Sequence, residues 1–191
     1  MSKYIIINNG NDEIAKQVYY EIIGILNGKE LEVISSRDIE KTELGTEDNI
    51  YVITDSYKKF MSDHPEIAQK KIVSLIDADV DMPYSYKLGA NIRISKGVDI
   101  SMDIQLGDNV SIGAHTNVAH DVKIGNDSTI GCHVSIGGEC ELGANVNIKD
   151  GAIIKEGIKI GEGATVEVGA VVLRDIEAYT KVMGNPARVI H

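Results

Sequence analysis

From Asp79 onward an apolar side chain returns every sixth residue. Cut into sixes, the chain reads DVDMPY, SYKLGA, NIRISK, GVDISM, DIQLGD, NVSIGA, HTNVAH, DVKIGN, DSTIGC, HVSIGG, ECELGA, NVNIKD, GAIIKE, GIKIGE, GATVEV, GAVVLR and DIEAYT, 17 blocks without an insertion. The fourth position is apolar in every block, from Met82 through Ile112, Ile124 and Ile136 to Ala178. A period of six over such a length is the mark of a repeat architecture rather than of one helix or one sheet. Each block predicts a short strand with its fourth residue inward and a small or β-branched residue inward at position two. Gly follows position four in eight blocks (Gly89, Gly107, Gly113, Gly125, Gly131, Gly137, Gly143 and Gly161), where it is expected to take the backbone angles of a turn. Three blocks close a triangular coil, and an 18-residue step stacks the next coil on it at roughly 4.8 Å. The expectation is a parallel β-helix of between five and six coils, each covering the edge of its neighbour.

Residues 1–77 carry a different pattern. Apolar runs predict strands at Tyr4 to Ile7, Leu31 to Ile34, Ile50 to Thr54 and Ile72 to Ile76. Ile14, Val18, Ile22, Ile25 and Leu26 have helical spacing over Asp12 to Leu26, and Ser56 to Lys71 predicts a second helix interrupted at His64-Pro65. Alternating strands and helices imply a small parallel α/β unit over 1–77, followed by the repeat domain over 78–191. Units of this kind bind nucleotides at the loop after the first strand. That loop is Asn8-Asn9-Gly10-Asn11-Asp12-Glu13, with Gly10, Asn11 and Asp12 as the candidate contacts and one glycine of the usual Gly-rich pattern, and the second strand ends in Ser35-Ser36 without the acid that often holds a ribose.

Composition narrows the function classes. With 43% apolar residues but 5% aromatics, no Trp and a single Phe60, the core must be built of Ile, Val and Leu. A formal net charge of -10 with no basic face argues against nucleic acid as a partner. Cys132 and Cys140 form neither a disulfide framework nor a CxxC pair. The four-residue run Tyr4 to Ile7 is too short for a signal segment or a membrane span, so a soluble, cytoplasmic protein is expected.

The candidate chemistry lies in the repeat. His115, His120 and His133 fall in adjacent coils; His115 and His133 are 18 residues apart and should stack at one corner of the triangle, with His120 at the next corner. Asp121 can accept a hydrogen bond from the His120 imidazole, fixing its tautomer and raising its basicity. Gly138, one coil beyond His120, would let a thioester approach a backbone N–H that serves as an oxyanion donor. In a three-fold assembly of such prisms His120 of one subunit would face the His115/His133 corner of the next.

The run Asn117-Val-Ala-His120-Asp121-Val-Lys-Ile124-Gly125, followed by Val182-Met-Gly184-Asn185-Pro186-Ala187-Arg188, resembles the sialic-acid O-acetyltransferase family of hexapeptide-repeat acyltransferases, which includes the UDP-4-amino-sugar N-acetyltransferases. The resemblance implies a nucleotide-binding-like α/β unit joined to a left-handed β-helix, a homotrimer with sites between subunits, and acetyl-CoA as co-substrate. It implies acetyl transfer to an amino or hydroxyl group of a sugar, nucleotide-linked, and no metal. His120 maps to the base, Asp121 to its partner and Gly138 to the glycine that contacts the thioester. The coenzyme cleft would fall near the corner column Cys132, Asp150 and Val168. Family members often carry a second His nine residues after the base, a position held here by Thr129, and His133 is the residue placed to take over from it. Gly113 replaces an Asn seven before the base. Gly10, Asn11 and Asp12 map to the substrate nucleotide, and the late cations Arg174, Lys181 and Arg188 to the coenzyme phosphate.

Two alternatives follow from the same residues. His115-x4-His120 also resembles the zinc-ligand spacing of the γ-class carbonic anhydrases, whose third ligand would fall at Asp79. A catalytically inactive scaffold is the other, since a β-helix alone does not specify chemistry.

Overall fold

The computed structural model describes residues 3–9, 31–54, 56–77 and 79–190, in two units, Met1–Leu75 and Ile76–His191. In the first unit, strands β1 (Tyr4–Asn8), β2 (Leu31–Ser35), β3 (Asn49–Ile53) and β4 (Lys71–Ile72) form a parallel sheet in the order β2-β1-β3-β4. A parallel sheet must be covered on both faces. Ile5, Ile7, Ile34, Ile50 and Val52 pack with Phe60 and Ile67 on one side, and Ile6, Tyr51 and Ile53 with Leu75 on the other. The helical segment after β3 is two pieces, α1 (Tyr57–Asp63) and α2 (Pro65–Ala68). Pro65 cannot donate to the preceding turn, so His64 ends α1 and Pro65 starts α2 from its first turn. The predicted strand at Ile72 to Ile76 is divided between β4 and Leu75–Ile76. The expected helix over Asp12 to Leu26 lies outside the described residues.

The second unit is a three-sided prism of parallel strands. The first face stacks Arg93–Ile94, Ser111–Ile112, Thr129–Ile130, Asn147–Ile148 and Thr165–Val166. Asp99–Ile100, Asn117–Val118, Ser135–Ile136, Ile153–Ile154 and Val171–Val172 make the second. The third holds Tyr86–Leu88, Ile104–Leu106, Lys123–Ile124, Glu141–Leu142 and Lys159–Ile160. Partners are 18 residues apart, as in Ser111↔Thr129, Asn117↔Ser135 and Lys123↔Glu141. The fourth-position residues Ile112, Ile130, Ile136 and Ile148 fill the interior with the second-position residues Val110, Val134, Val146 and Ala152.

The turns are not where the glycines suggested. The first residue of every block from Asn91 to Gly169 carries the left-handed angle, including Asn109, His115, Asp121, Asp127, His133 and Glu139 at φ 55–59°. Glycine, or a short polar side chain, is what that region tolerates best. The glycines after position four have ordinary angles and serve close approach instead. A Cβ on Gly125 would stand 2.6 Å from the Ala144 amide nitrogen of the next coil.

The six-residue frame also ends earlier than the apolar pattern implied. Ile160 bridges Ile176 and Thr165 pairs with Lys181, steps of 16 rather than 18. Ile176, not Ala178, packs against the core, and Ala178 is exposed. At the other end the block Asp79 to Tyr84 forms no strand, although Met82 packs on the core. Lys181–Met183 pairs antiparallel with Arg188–Val189, and Ala187 packs on the last coil, closing the end of the stack.

Two buried hydroxyls tie coils together. Thr116 Oγ1 donates to the Gly131 carbonyl at 2.7 Å and accepts from the Val134 amide at 3.1 Å. Ser128 makes the same pair of bonds with Gly143 and Val146, each at 3.1 Å. Replacing Thr116 by isosteric Val strands a buried donor and acceptor, so Thr116→Val is expected to cost about 1–3 kcal/mol in urea unfolding.

Candidate active site

The corner joining the second face to the third carries residues 119–122 in one coil and 137–140 in the next. His120 ends its block, and Asp121 takes the left-handed angle (φ 59°) that turns the chain, so the two adjacent side chains meet outside the prism. His120 Nδ1 lies 2.9 Å from Asp121 Oδ2. That hydrogen bond, before the charges of Asp121, Glu139 and Glu156, holds the imidazole pKa above its ordinary value despite some opposing desolvation. With the Nδ1 proton held by the carboxylate, Nε2 is the nitrogen free to take a proton. The carboxylate also stabilises the imidazolium formed when it does.

Gly138 completes the group. A Cβ there would stand 2.8 Å from both Nε2 and Cε1 of His120, so the ring lies against the bare glycine. Gly138 has no left-handed angle; the space is what requires it. Its neighbours are used by the coil ladder, Gly137 N–H to the Ile154 carbonyl at 2.9 Å and Glu139 N–H to the His120 carbonyl at 2.9 Å. The Gly138 N–H meets no acceptor among the described residues. Three equivalent amides are capped by a side chain one coil on, Ala90 by Asp108 at 2.7 Å, Asp108 by Asn126 at 2.9 Å and Cys132 by Asp150 at 2.8 Å. Glu156 follows Gly138 in its column and makes no such bond. The corner thus offers a base, the acceptor that orients it and an unused N–H donor. Beside it an open groove of about 700 Å³ runs over the third face, lined by Asp103, Gln105, Asp121, Lys123, Glu139, Glu141, Gly157 and Lys159.

The remaining candidates in the repeat lie elsewhere on the prism. His115 and His133 occupy the corner between the first and second faces, their rings stacked at 5.3 Å with a 17° tilt. Cys132, Asp150 and Val168 share that corner; Asp150 is engaged in capping the Cys132 amide, and Val168 is 69% exposed. Thr129 points outward from the first face. Within one chain, therefore, His120, Asp121 and Gly138 come together, while Thr129, His133, Asp150 and Val168 are separated from them by the second face. Of the late cations, Lys181 is taken by Glu167 at 2.6 Å, whereas Arg174 and Arg188 have no carboxylate partner among the described residues. Asp79, the third ligand of the zinc alternative, instead pairs with Lys96 at 3.1 Å. Among the described residues no three His, Cys, Asp or Glu side chains come together as a metal site.

Gly10, Asn11 and Asp12 of the first unit lie outside the described residues. At the carboxyl ends of β1 and β2 there is a crevice of about 560 Å³ lined by Asn8, Asn9, Val33, Ile34, Ser35, Ser36 and Arg37. Asn9 belongs to the loop after the first strand to which the sequence pattern pointed, whereas Arg37 was not singled out; its signal was position alone, two residues past the end of β2. Among the described residues no helix is long and apolar enough to cross a membrane.

Residues 103–138, which include His120, Asp121 and Gly138, match the family model "Bacterial transferase hexapeptide (six repeats)". No curated protein matches the chain significantly in sequence. Among solved structures, PerB from Caulobacter crescentus in complex with CoA and GDP-perosamine aligns over 100% of this chain and 98% of its own, with a TM-score of 0.83 and 20% identity. The acetyltransferase domain of PglB from Neisseria gonorrhoeae, in complex with acetyl coenzyme A, aligns over 100% of both chains with a TM-score of 0.81 and 18% identity. WeeI from Acinetobacter baumannii aligns over 98% of this chain and 100% of its own at 0.55 and 19%. Residues 103–138 thus match a bacterial transferase hexapeptide repeat, and the chain shares its fold with an acetyltransferase domain and a perosamine N-acetyltransferase.

Proposed function

We propose that the protein transfers the acetyl group of acetyl-CoA to an amino or hydroxyl group of a nucleotide-linked sugar. The observation that carries this reading is the corner where His120, Asp121 and Gly138 meet, with an N–H left unused beside the base. His120 Nε2 removes the proton of the attacking nitrogen or oxygen as the new bond forms to the thioester carbonyl. Charge develops on the carbonyl oxygen, where the Gly138 N–H stabilises it. The C–S bond then breaks, the CoA sulfur leaves as thiolate, and the proton on the imidazole returns to it. No acyl-enzyme is required; Cys140 is fully buried, donates to the Lys155 carbonyl at 3.2 Å, and burial raises its thiol pKa.

The acceptor and coenzyme class are supported by the CoA, acetyl-CoA and GDP-perosamine named for the two similar proteins. The crevice of the first unit would take the nucleotide, and a cytoplasmic location would suit a consumer of acetyl-CoA. The test is a transfer assay with acetyl-CoA and a panel of nucleotide-linked amino and hydroxyl sugars, following thiol release. Acceptor-dependent release is expected; failure of the protein to bind acetyl-CoA would refute the reading.

A homotrimer belongs to the same proposal. Toward the later coils the second face and its flanking corners carry exposed Ile153, Val168 and Leu173, at 48%, 69% and 49%, a surface suited to a second copy. Such packing would bring the His120 corner of one subunit near the His133, Asp150 and Val168 corner of the next, and Thr129 near the coenzyme. Light scattering is expected to give three times the 20.7 kDa chain mass. A monomer at assay concentration would exclude the intersubunit cleft.

A further inference from the structure

We infer that Arg37 sets the ligand preference of the first unit, holding a phosphate of the sugar nucleotide over the end of β2. This rests on the reading that the unit takes the nucleotide part of the acceptor. The sheet order β2-β1-β3-β4 sends the chain to opposite sides of β1, and ligands of such sheets bind outside the carboxyl ends of the strands. The crevice lies at that edge. Where an acid after β2 would accept hydrogen bonds from a ribose diol, this chain has Ser35, Ser36 and Arg37. A carboxylate selects hydroxyl donors, whereas a guanidinium selects acceptors and binds phosphate oxygens bidentately.

The surroundings agree with an anion. In a chain of net charge -10, the described residues lining this crevice include one arginine and no Asp or Glu. The nearest acid in sequence, Asp38, is paired with Lys41 at 2.9 Å. Arg37 is exposed, and its guanidinium meets no carboxylate among the described residues. The neutral groups add donors. Ser35 Oγ accepts from the Arg37 amide at 3.3 Å, which leaves its own hydrogen to give. Ser36 Oγ donates to Asn9 Oδ1 at 2.9 Å, fixing the Asn9 carboxamide with its NH2 side 3.5 Å from Thr54 Oγ1.

The experiment is calorimetric titration of the full chain with UDP, GDP and CMP, with the matching nucleosides, and with pyrophosphate, repeated for Arg37→Ala. The nucleotides are expected to bind at least about tenfold more tightly than their nucleosides, with pyrophosphate competing. Arg37→Ala should weaken every nucleotide by about 10- to 100-fold while acetyl-CoA affinity stays unchanged. Nucleosides binding as tightly as nucleotides, an Arg37→Ala chain that binds nucleotides normally, or no nucleotide binding at all would each overturn the inference. Loss of acetyl-CoA binding by the unsubstituted chain would be a different failure, that of the acetyltransferase reading.

Discussion

His120→Ala is expected to lower turnover by about 10²- to 10⁴-fold, the usual contribution of a positioned general base, while acetyl-CoA binding persists. The side chain is half exposed on the outside of the corner, so its loss should leave the fold intact. The effect should appear in kcat, because proton removal occurs only as the acceptor attacks. Near-normal turnover would assign proton removal to another group.

The pH profile gives the same assignment an independent check. A base must be neutral to act, so activity falls as pH drops through the His120 pKa. The Asp121 hydrogen bond and the charges of Asp121, Glu139 and Glu156 hold that pKa above the ordinary 6.5, placing the acidic limb of kcat/KM above that value. Asp121→Asn removes both the charge and the strong acceptor. The limb should move to lower pH, and the plateau should fall because the imidazolium formed in the transition state loses its stabilisation. A limb that stays in place when Asp121 is changed would show that some other group is titrating.

What the sequence disclosed of this site, and what it hid, follows from which physical property each residue reports. The fourth-position residues had to be apolar to fill the prism, so the period of six was visible. His120 and Gly138 sit one 18-residue step apart, and the coil repeat made them neighbours on paper as they are in space. The glycines after position four are ambiguous in sequence because glycine answers two different demands, left-handed angles and close approach. The better signal for the angle was the Asn, Asp and His at position one, which tolerate it. The slip in the last coil was hidden because Ile176 and Ala178 are both apolar and two residues apart, so either kept the pattern. Arg37 was not legible in the sequence because a lone cation after β2 looks the same as any solvated surface charge.

Gly138→Ala should cost about 10²-fold in turnover with little change in thermal stability. The backbone angle at Gly138 is ordinary, so alanine can adopt it, and the atoms nearest a new Cβ are Nε2, Cε1 and Nδ1 of His120 at 2.8, 2.8 and 3.2 Å. An exposed ring can swing aside cheaply, which spares the fold; what it loses is the position of Nε2 relative to the acceptor. The substitution retains the amide N–H, so it tests the space at Gly138 apart from the donor. A double-mutant cycle separates the two roles. In the His120→Ala background there is no ring to displace, and a glycine needed only for space should then tolerate alanine at almost no further cost. An undiminished cost in that background would mean that the methyl group obstructs the thioester itself. Wild-type turnover for Gly138→Ala alone would show that the contact between ring and glycine has no part in the chemistry.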